Sequence, residues 1–451
     1  MGVLFGTSGV RGVVGEQVTP QLAIGLGSAL AAYLGNSGAV AIGKDPRTSS
    51  DMLEGCFISG LLSGGCNVKR LGMVPTPVVG FATKRLGVKA GVMVTASHNP
   101  PEYNGFKLFD SDGMAYTTSV EGKIENLYFK KKWKKATWAD IGKIEKADIV
   151  QDYIGAFAGE TELSREYKVI VDCGNGAATF VAPLALEKIG CKVVPINSQP
   201  DGLFPGRPLE PSAENLGELC KMVRSNGADL GIAHDGDADR VAVVDEKGTV
   251  AFGDELLALV AASQISAEKS IVVTTVDASR VVDEVVGNRD GTVVRTKVGD
   301  VSVATEVKRI GAAFGGEPCG AWIFPGFSMV PDGLLGAVKV LKLLSDSGKN
   351  LSELLGPLPD YYTARKKVAC PDEKKAKVMS SLPKRLEGAF EEAIELTRID
   401  GVRLGLEDGW VLVRASGTEP IIRVTAEART PGRANEIVKK AVKILRAKSG
   451  K

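Results

Sequence analysis

The segment AHDGDADRVAVVD places Asp235, Asp237 and Asp239 at alternate positions. A looped backbone lets three such carboxylates converge on one hard divalent cation, the chemistry that Mg²⁺ and Ca²⁺ prefer. An EF-hand is the obvious rival, with Glu246 at the twelfth position, but Arg240 stands where that loop demands glycine and a Val-rich run follows at once. A second loop, TASHNPPEYNGFK, offers Ser97 and His98 together with Asn104 and Lys107. Adjacent residues seldom point at each other, so the Ser-His pair alone is poor evidence for a nucleophilic dyad. A third, RASGTEPIIR, combines the planar forks of Arg414 and Arg423 with the hydroxyls of Ser416 and Thr418 and a turn-permitting Gly417, a pattern suited to holding an anion. In a fourth, FGGEPCGAWIFP, glycines and a proline make a rigid turn carrying one carboxylate, Glu317, fit to accept hydrogen bonds from sugar hydroxyls. Taken singly, each has a plain structural reading: a loop serine, an acidic turn, a hairpin with solvent-facing arginines, a turn.

Something must position these loops. AVAIGKD, KVIVDCGNG and SIVVTTV are three apolar runs, each entered from a polar or Gly-rich turn and each followed by a segment compatible with a helix. These are βα starts, and ligand crevices form outside the carboxyl ends of such strands. Ser97 follows another buried run, Val92 to Thr95. The CGNGAAT stretch suits a tight turn into a helix from Ala177, but lacks the spacing of a dinucleotide fingerprint. Breaks are expected near Lys143 to Asp152, near Glu246 to Gly253 and across LGPLPDYYT. They divide the chain into 1–148, 149–248, 249–358 and 359–451. The last segment reads as a small α+β domain, two β-rich runs around the Arg414 loop followed by a basic amphipathic helix.

With 451 residues the chain exceeds one compact core, and 56 basic against 54 acidic residues leave no net field toward nucleic acid or membrane. The basic-aromatic run YFKKKWKK is read as a solvated helix face or domain connection. Seven cysteines without a C-x-x-C pair argue against structural zinc or a disulfide framework and favour a reducing cytoplasm. No signal segment and no apolar run long enough to span a bilayer is expected.

Together the loops describe phosphoryl transfer: a serine to carry the group, aspartates for a metal, a separate phosphate clamp, and a carboxylate for hydroxyls. FGTSGVRG, TASHNPPEYNGFK, DGDADR and RASGTEP, in that order along the chain, resemble the α-D-phosphohexomutases. The resemblance implies an α/β, heart-shaped, four-domain architecture, with three mixed α/β domains and a C-terminal α+β domain. It implies a phosphoserine at Ser97 and Mg²⁺ held by that group with Asp235, Asp237 and Asp239. Thr7, Ser8 and Arg11 would line the same centre, His98 and Lys107 would serve proton transfer, and Arg240 would neutralise the moving phosphoryl. Arg414, Ser416, Gly417, Thr418 and Arg423 would hold the phosphate that is not reacting. A hexose 1,6-bisphosphate would be both intermediate and activator.

One departure stands out. Where many members have Gly-Glu-X-Ser-Gly-His, this chain has Gly316-Glu317-Pro318-Cys319-Gly320-Ala321, so serine is replaced by Cys319 and the histidine is absent. The general base for one half-reaction is therefore not supplied by that loop. TKVGD, with Lys297 and Asp300, and GEPCGAWIFP look like the archaeal phosphoglucosamine-mutase-like branch, which implies interconversion of glucosamine 6-phosphate and glucosamine 1-phosphate. Glucose or mannose phosphates are the alternative substrates. A metal-dependent phosphatase and an inactive sugar-phosphate binder are the readings from other classes. The expected partner is a small sugar phosphate, and the expected assembly a monomer or homodimer.

Overall fold

The computed structural model describes residues 4–6, 8–159, 161–251, 253–416 and 419–446. Four sheets follow one another along the chain. The first has the spatial order Val10–Val13, Tyr103–Asp110, Ala90–Val94, Ala39–Lys44, Asn67–Met73, Ile144–Lys146. Its centre is parallel, and an antiparallel hairpin pairs Ala90–Val94 with Tyr103–Asp110. Ala90–Val94 is buried at every position, as expected for a strand covered on both faces. The helices flanking this sheet start where the sequence signals them: Pro20–Tyr33 has proline at its first position and Thr19 as N-cap, whose side chain accepts from Leu22 N.

The second sheet is ordered Val241–Val244, Leu230–His234, Lys168–Asp172, Lys192–Ile196, and the third Thr292–Thr296, Ile271–Thr275, Phe314–Gly316, Trp322–Ile323. Both mix parallel and antiparallel pairs. The three expected βα starts are found as Ala39–Lys44, Lys168–Asp172 and Ile271–Thr275, each followed by a helix. After Lys168–Asp172 the chain forms a short 3₁₀ turn, Ala177–Phe180, before the α-helix Ala182–Lys188. The fourth sheet, Tyr362–Ala369 to Ile421–Ala428, is wholly antiparallel and is packed by Asp372–Glu387 and Pro431–Arg446. It is the α+β unit expected from the tail.

One break is displaced. Ile144–Lys146 lies inside the expected connection near Lys143 yet pairs in parallel with Asn67–Met73, so the chain completes the first sheet before it leaves. The basic-aromatic run ends the helix Thr118–Lys130 and continues as a surface connection, with Trp138 89% exposed. One apolar core runs continuously through the first three units, from Val74 and Tyr153 to Leu344, whereas the fourth has its own around Leu382, Val413 and Ile437. No helix of the described residues is long and apolar enough to cross a membrane. The seven cysteines are all free.

Candidate active site

The Ser97 loop joins the two strands of the antiparallel hairpin in the first sheet. Ser97 adopts φ +52°, a left-handed conformation that costs a non-glycine residue about 1–3 kcal/mol and persists only when its surroundings enforce it. Here the enforcing group is Arg47, 2% exposed. Its Nη2 donates to the Ser97 and Asn99 carbonyls at 2.8 and 2.7 Å, its Nη1 to those of Pro100 and Tyr103, and its Nε pairs with Asp45 at 3.0 Å. Asp45 also accepts from Thr95 Oγ1, which in turn accepts from Ser97 N at 2.8 Å.

Asp235, Asp237 and Asp239 leave the carboxyl end of Leu230–His234 in a turn with Ala238 at φ +56°. Gly236 lies so close to the first unit that a Cβ there would stand 2.5 Å from the Ser97 carbonyl oxygen. Only glycine allows that approach. The result joins residues 138 positions apart: Ser97 Oγ donates to Asp235 Oδ2 at 2.7 Å. It also lies 3.3 Å from His98 Nδ1, so the left-handed turn at Ser97 brings together two neighbours that ordinary backbone geometry holds apart.

The three carboxylates are almost completely buried, with ligand oxygens all within 4.8 Å of one another. Oδ1 of Asp237 and Oδ1 of Asp239 are buried without a hydrogen-bond partner among the described residues. Orphaned anionic oxygens are costly unless a cation completes them, so this donor set fits a hard divalent ion. Lys107 supplies part of that charge, its Nζ lying 2.7 Å from Asp237 Oδ2 and 2.5 Å from Asp239 Oδ2. Burial opposes the ammonium, but Asp237 and Asp239 outweigh it and hold Lys107 above its usual range. Burial likewise opposes the Asp237 carboxylate, and Lys107 with Thr76 outweighs it. Asp235 is pushed well above its usual range by burial and then by Asp239 and Asp237. His98 is pushed down to about 4 by burial and by Arg240, so its ring is neutral near pH 7.

Around this centre opens a cleft of about 1230 Å³, lined among others by Ser8, Arg11, Ser97, His98, Arg240, Asp300, Glu317 and Cys319. Arg11 Nη2 donates to Ser8 Oγ at 3.2 Å, and its Nη1 lies 3.5 Å from Asn99 Oδ1. The Glu317 loop is tied to the aspartate loop by Val241 N donating to the Gly320 carbonyl, and Ala321 bridges to Arg240. Glu317 Oε2 accepts from Gly299 N at 3.0 Å, and burial together with Asp300 pushes its carboxyl up to about 7.

The clamp residues do not share this wall. Arg414 Nε pairs with Asp400 at 3.0 Å and Arg423 with Glu419 at 2.7 Å, both on the fourth unit, while Ser416 Oγ accepts from Glu419 N. Lys297 is exposed, and the cleft is lined instead by its successors Val298 to Asp300. Thr7, Gly417 and Thr418 lie outside the described residues. Four residues were not singled out from sequence. Arg47 follows a strand in KDPRTSS, and Asp277 follows Ile271–Thr275, so the strand-end rule would have found both. Thr76, which donates to Asp237, and Glu210, which pairs with Arg240, carry no local signal.

Comparison with known proteins gives the family. The phosphoglucomutase/phosphomannomutase alpha/beta/alpha domains I, II and III match residues 2–135, 151–248 and 252–362, and the C-terminal domain matches 366–444. A protein of Methanothermobacter thermautotrophicus named "probable phosphoglucosamine mutase" is 52% identical over 435 residues, covering 96% of each chain. One of the same name from Pyrococcus abyssi is 47% identical, covering 99% of this chain and 98% of its own. The crystal structure of a phosphoglucomutase/phosphomannomutase family protein from Burkholderia thailandensis superposes with a TM-score of 0.88 at 27% identity, covering 99% of this chain and 98% of the other. With four domains matched in order and relatives near half identical along their length, the chain belongs to the phosphoglucomutase/phosphomannomutase family of phosphohexomutases.

Proposed function

We propose that the protein interconverts glucosamine 6-phosphate and glucosamine 1-phosphate through a phosphoserine at Ser97 and a 1,6-bisphosphate intermediate. The observation that carries the chemistry is the buried Ser97 Oγ, held against Asp235 and His98 beside carboxylate oxygens that lack partners among the described residues. In the forward half-reaction the P–O bond to Ser97 Oγ breaks as a sugar hydroxyl oxygen bonds to phosphorus, and the hydroxyl proton leaves to a base. Neutral His98 is the base this chain offers beside Oγ. Lys107, fixed between two carboxylates, serves better as a charge partner than as a proton acceptor. Asp235, Asp237 and Asp239 would hold Mg²⁺, which supplies charge neutralisation at the phosphoryl oxygens. Arg11, Ser8 and Arg240 line the cleft where a phosphoryl group would lie. Arg414, Ser416, Gly417, Thr418 and Arg423 are assigned to the non-reacting phosphate, which requires Arg414 and Arg423 to exchange Asp400 and Glu419 for the ligand. Because clamp and donor lie on different units, the bisphosphate must turn over in the cleft for 1- and 6-phosphates to exchange.

The amino sugar is favoured by the third sheet. Three neighbouring parallel strands, Ile271–Thr275, Thr292–Thr296 and Phe314–Gly316, are each followed at the carboxyl end by a carboxylate lining the cleft: Asp277, Asp300 and Glu317. An ammonium at C2 is the sugar substituent such a wall recognises, and a site built around that partner rejects an analogue lacking it. The names of the archaeal relatives agree with this assignment. The test is a substrate panel with Mg²⁺ and the matching 1,6-bisphosphate present. kcat/KM should fall in the order glucosamine 1-phosphate, glucose 1-phosphate, mannose 1-phosphate, and Ser97→Ala should turn over none of them. Parity of glucose and mannose phosphates, both above the amino sugar, would replace the glucosamine assignment with a phosphoglucomutase/phosphomannomutase one.

A further inference from the structure

Glu210 belongs to none of the motif loops, yet its carboxylate reaches two residues of the transfer centre. Oε2 accepts from Arg240 Nη1 at 2.6 Å and lies 3.7 Å from His98 Nδ1. The peptide that carries it is fixed from both sides. Arg207, itself buried, pairs with Asp172 through Nε at 2.8 Å, donates through Nη1 to the Pro208 and Leu209 carbonyls, and donates through Nη2 to the His234 carbonyl at 2.6 Å. On the other side the Glu210 carbonyl accepts from Ser212 N and from Asn215 Nδ2. The carboxylate is therefore tied to the end of Leu230–His234, the strand that launches the aspartate loop.

We infer that Glu210 is a positioning residue for phosphoryl transfer, holding the Arg240 fork and the His98 ring in one arc around Ser97 Oγ. Arg240 is long and has Asp235 and Asp239 as competing anions nearby, both of which favour its charge. Without a fixed partner the guanidinium would be drawn toward those carboxylates and away from the cleft. A pair that engages Nη1 leaves other N–H donors of the fork for phosphoryl oxygens. The inference rests on the phosphoryl-transfer reading of the site but is independent of which sugar is preferred.

The experiment is a double-mutant cycle on the full-length enzyme, using the hexose 1-phosphate that the wild type turns over fastest. Glu210→Gln should lower kcat by about tenfold or more while changing KM less than about threefold, the signature of lost transition-state alignment. Glu210→Asp should recover most of the loss. In an Arg240→Lys background, Glu210→Gln should cost clearly less than it does in the wild type, because the fork it holds is already gone and only the His98 ring is left to position. Melting temperature and Mg²⁺ affinity of the Glu210 variants should match the wild type. A kcat for Glu210→Gln within about twofold of wild type, or effects that simply multiply in the double variant, would overturn the inference. A wild-type enzyme that isomerises no hexose phosphate would overturn the functional reading instead, so the two failures are distinct.

Discussion

Glu317, proposed for the sugar-facing wall, carries a carboxyl whose charge changes near neutral pH. It is 9% exposed, and burial with Asp300 pushes its carboxyl up to about 7, against the Gly299 N–H that favours the ionised form. Below that value the group is a neutral hydrogen-bonding acid, and above it a carboxylate. An ammonium on the sugar gains only from the second form. The ratio of kcat/KM for glucosamine 1-phosphate over glucose 1-phosphate should therefore rise between roughly pH 6 and 7.5, while titration of the phosphate common to both substrates cancels. Glu317→Gln should flatten that rise. An unchanged slope in the variant would mean that Glu317 does not set the preference.

At the scale of elements, the antiparallel hairpin of the first sheet is useful only because its loop is rigid. Arg47 donates to four loop carbonyls and to Asp45, so a single buried guanidinium ties together the backbone of the loop from Ser97 to Tyr103. Lysine keeps the charge but not the fork. We expect Arg47→Lys to lower kcat by about tenfold or more by releasing Ser97 from its left-handed conformation, and to lower stability by about 3 kcal/mol through broken buried hydrogen bonds. Steady-state kinetics and denaturant unfolding would check both. A variant with wild-type kcat would mean that Asp45 and Thr95 suffice to hold the loop.

Across the whole molecule, the fourth unit has a separate core and meets the third through a small cluster, Val276, Trp410 and Leu412 with Val298 against it. Glu427 ties the contact, accepting from Trp410 Nε1 at 2.8 Å and from Arg280 N at 2.9 Å through one oxygen. Arg280 Nη1 also donates to the Leu406 and Glu407 carbonyls. Because the assigned clamp rides on this unit, Trp410→Ala should misplace it and raise KM for hexose monophosphates by about tenfold, as a shift near 1 Å can. Limited proteolysis near residues 355–363 should accelerate in the same variant. An unchanged KM would separate the clamp from this contact.

Each motif loop could be read from sequence because it brings its own residue types: alternating aspartates, a serine behind a buried strand, arginines around a Ser-Gly turn, a carboxylate between glycines. Their order along the chain carried the family resemblance, which implied four units, a mutase and an aspartate cluster fit to hold a metal. What the loops do to one another was not legible. Ser97 meets Asp235 across 138 positions, and Arg47 meets Ser97 across 50. Hydrophobic periodicity fixes which strands form, but not which loop ends converge when separate sheets pack through a common core. Thus Lys107, assigned to proton transfer from the resemblance, is locked between Asp237 and Asp239. Glu210, with nothing local to mark it, reaches Arg240, and Arg414 and Arg423 are paired with Asp400 and Glu419 instead of lining the cleft. Local residue chemistry set the repertoire of groups; the packing of units decided their partners, because charge pairing depends on distances that only the tertiary fold establishes.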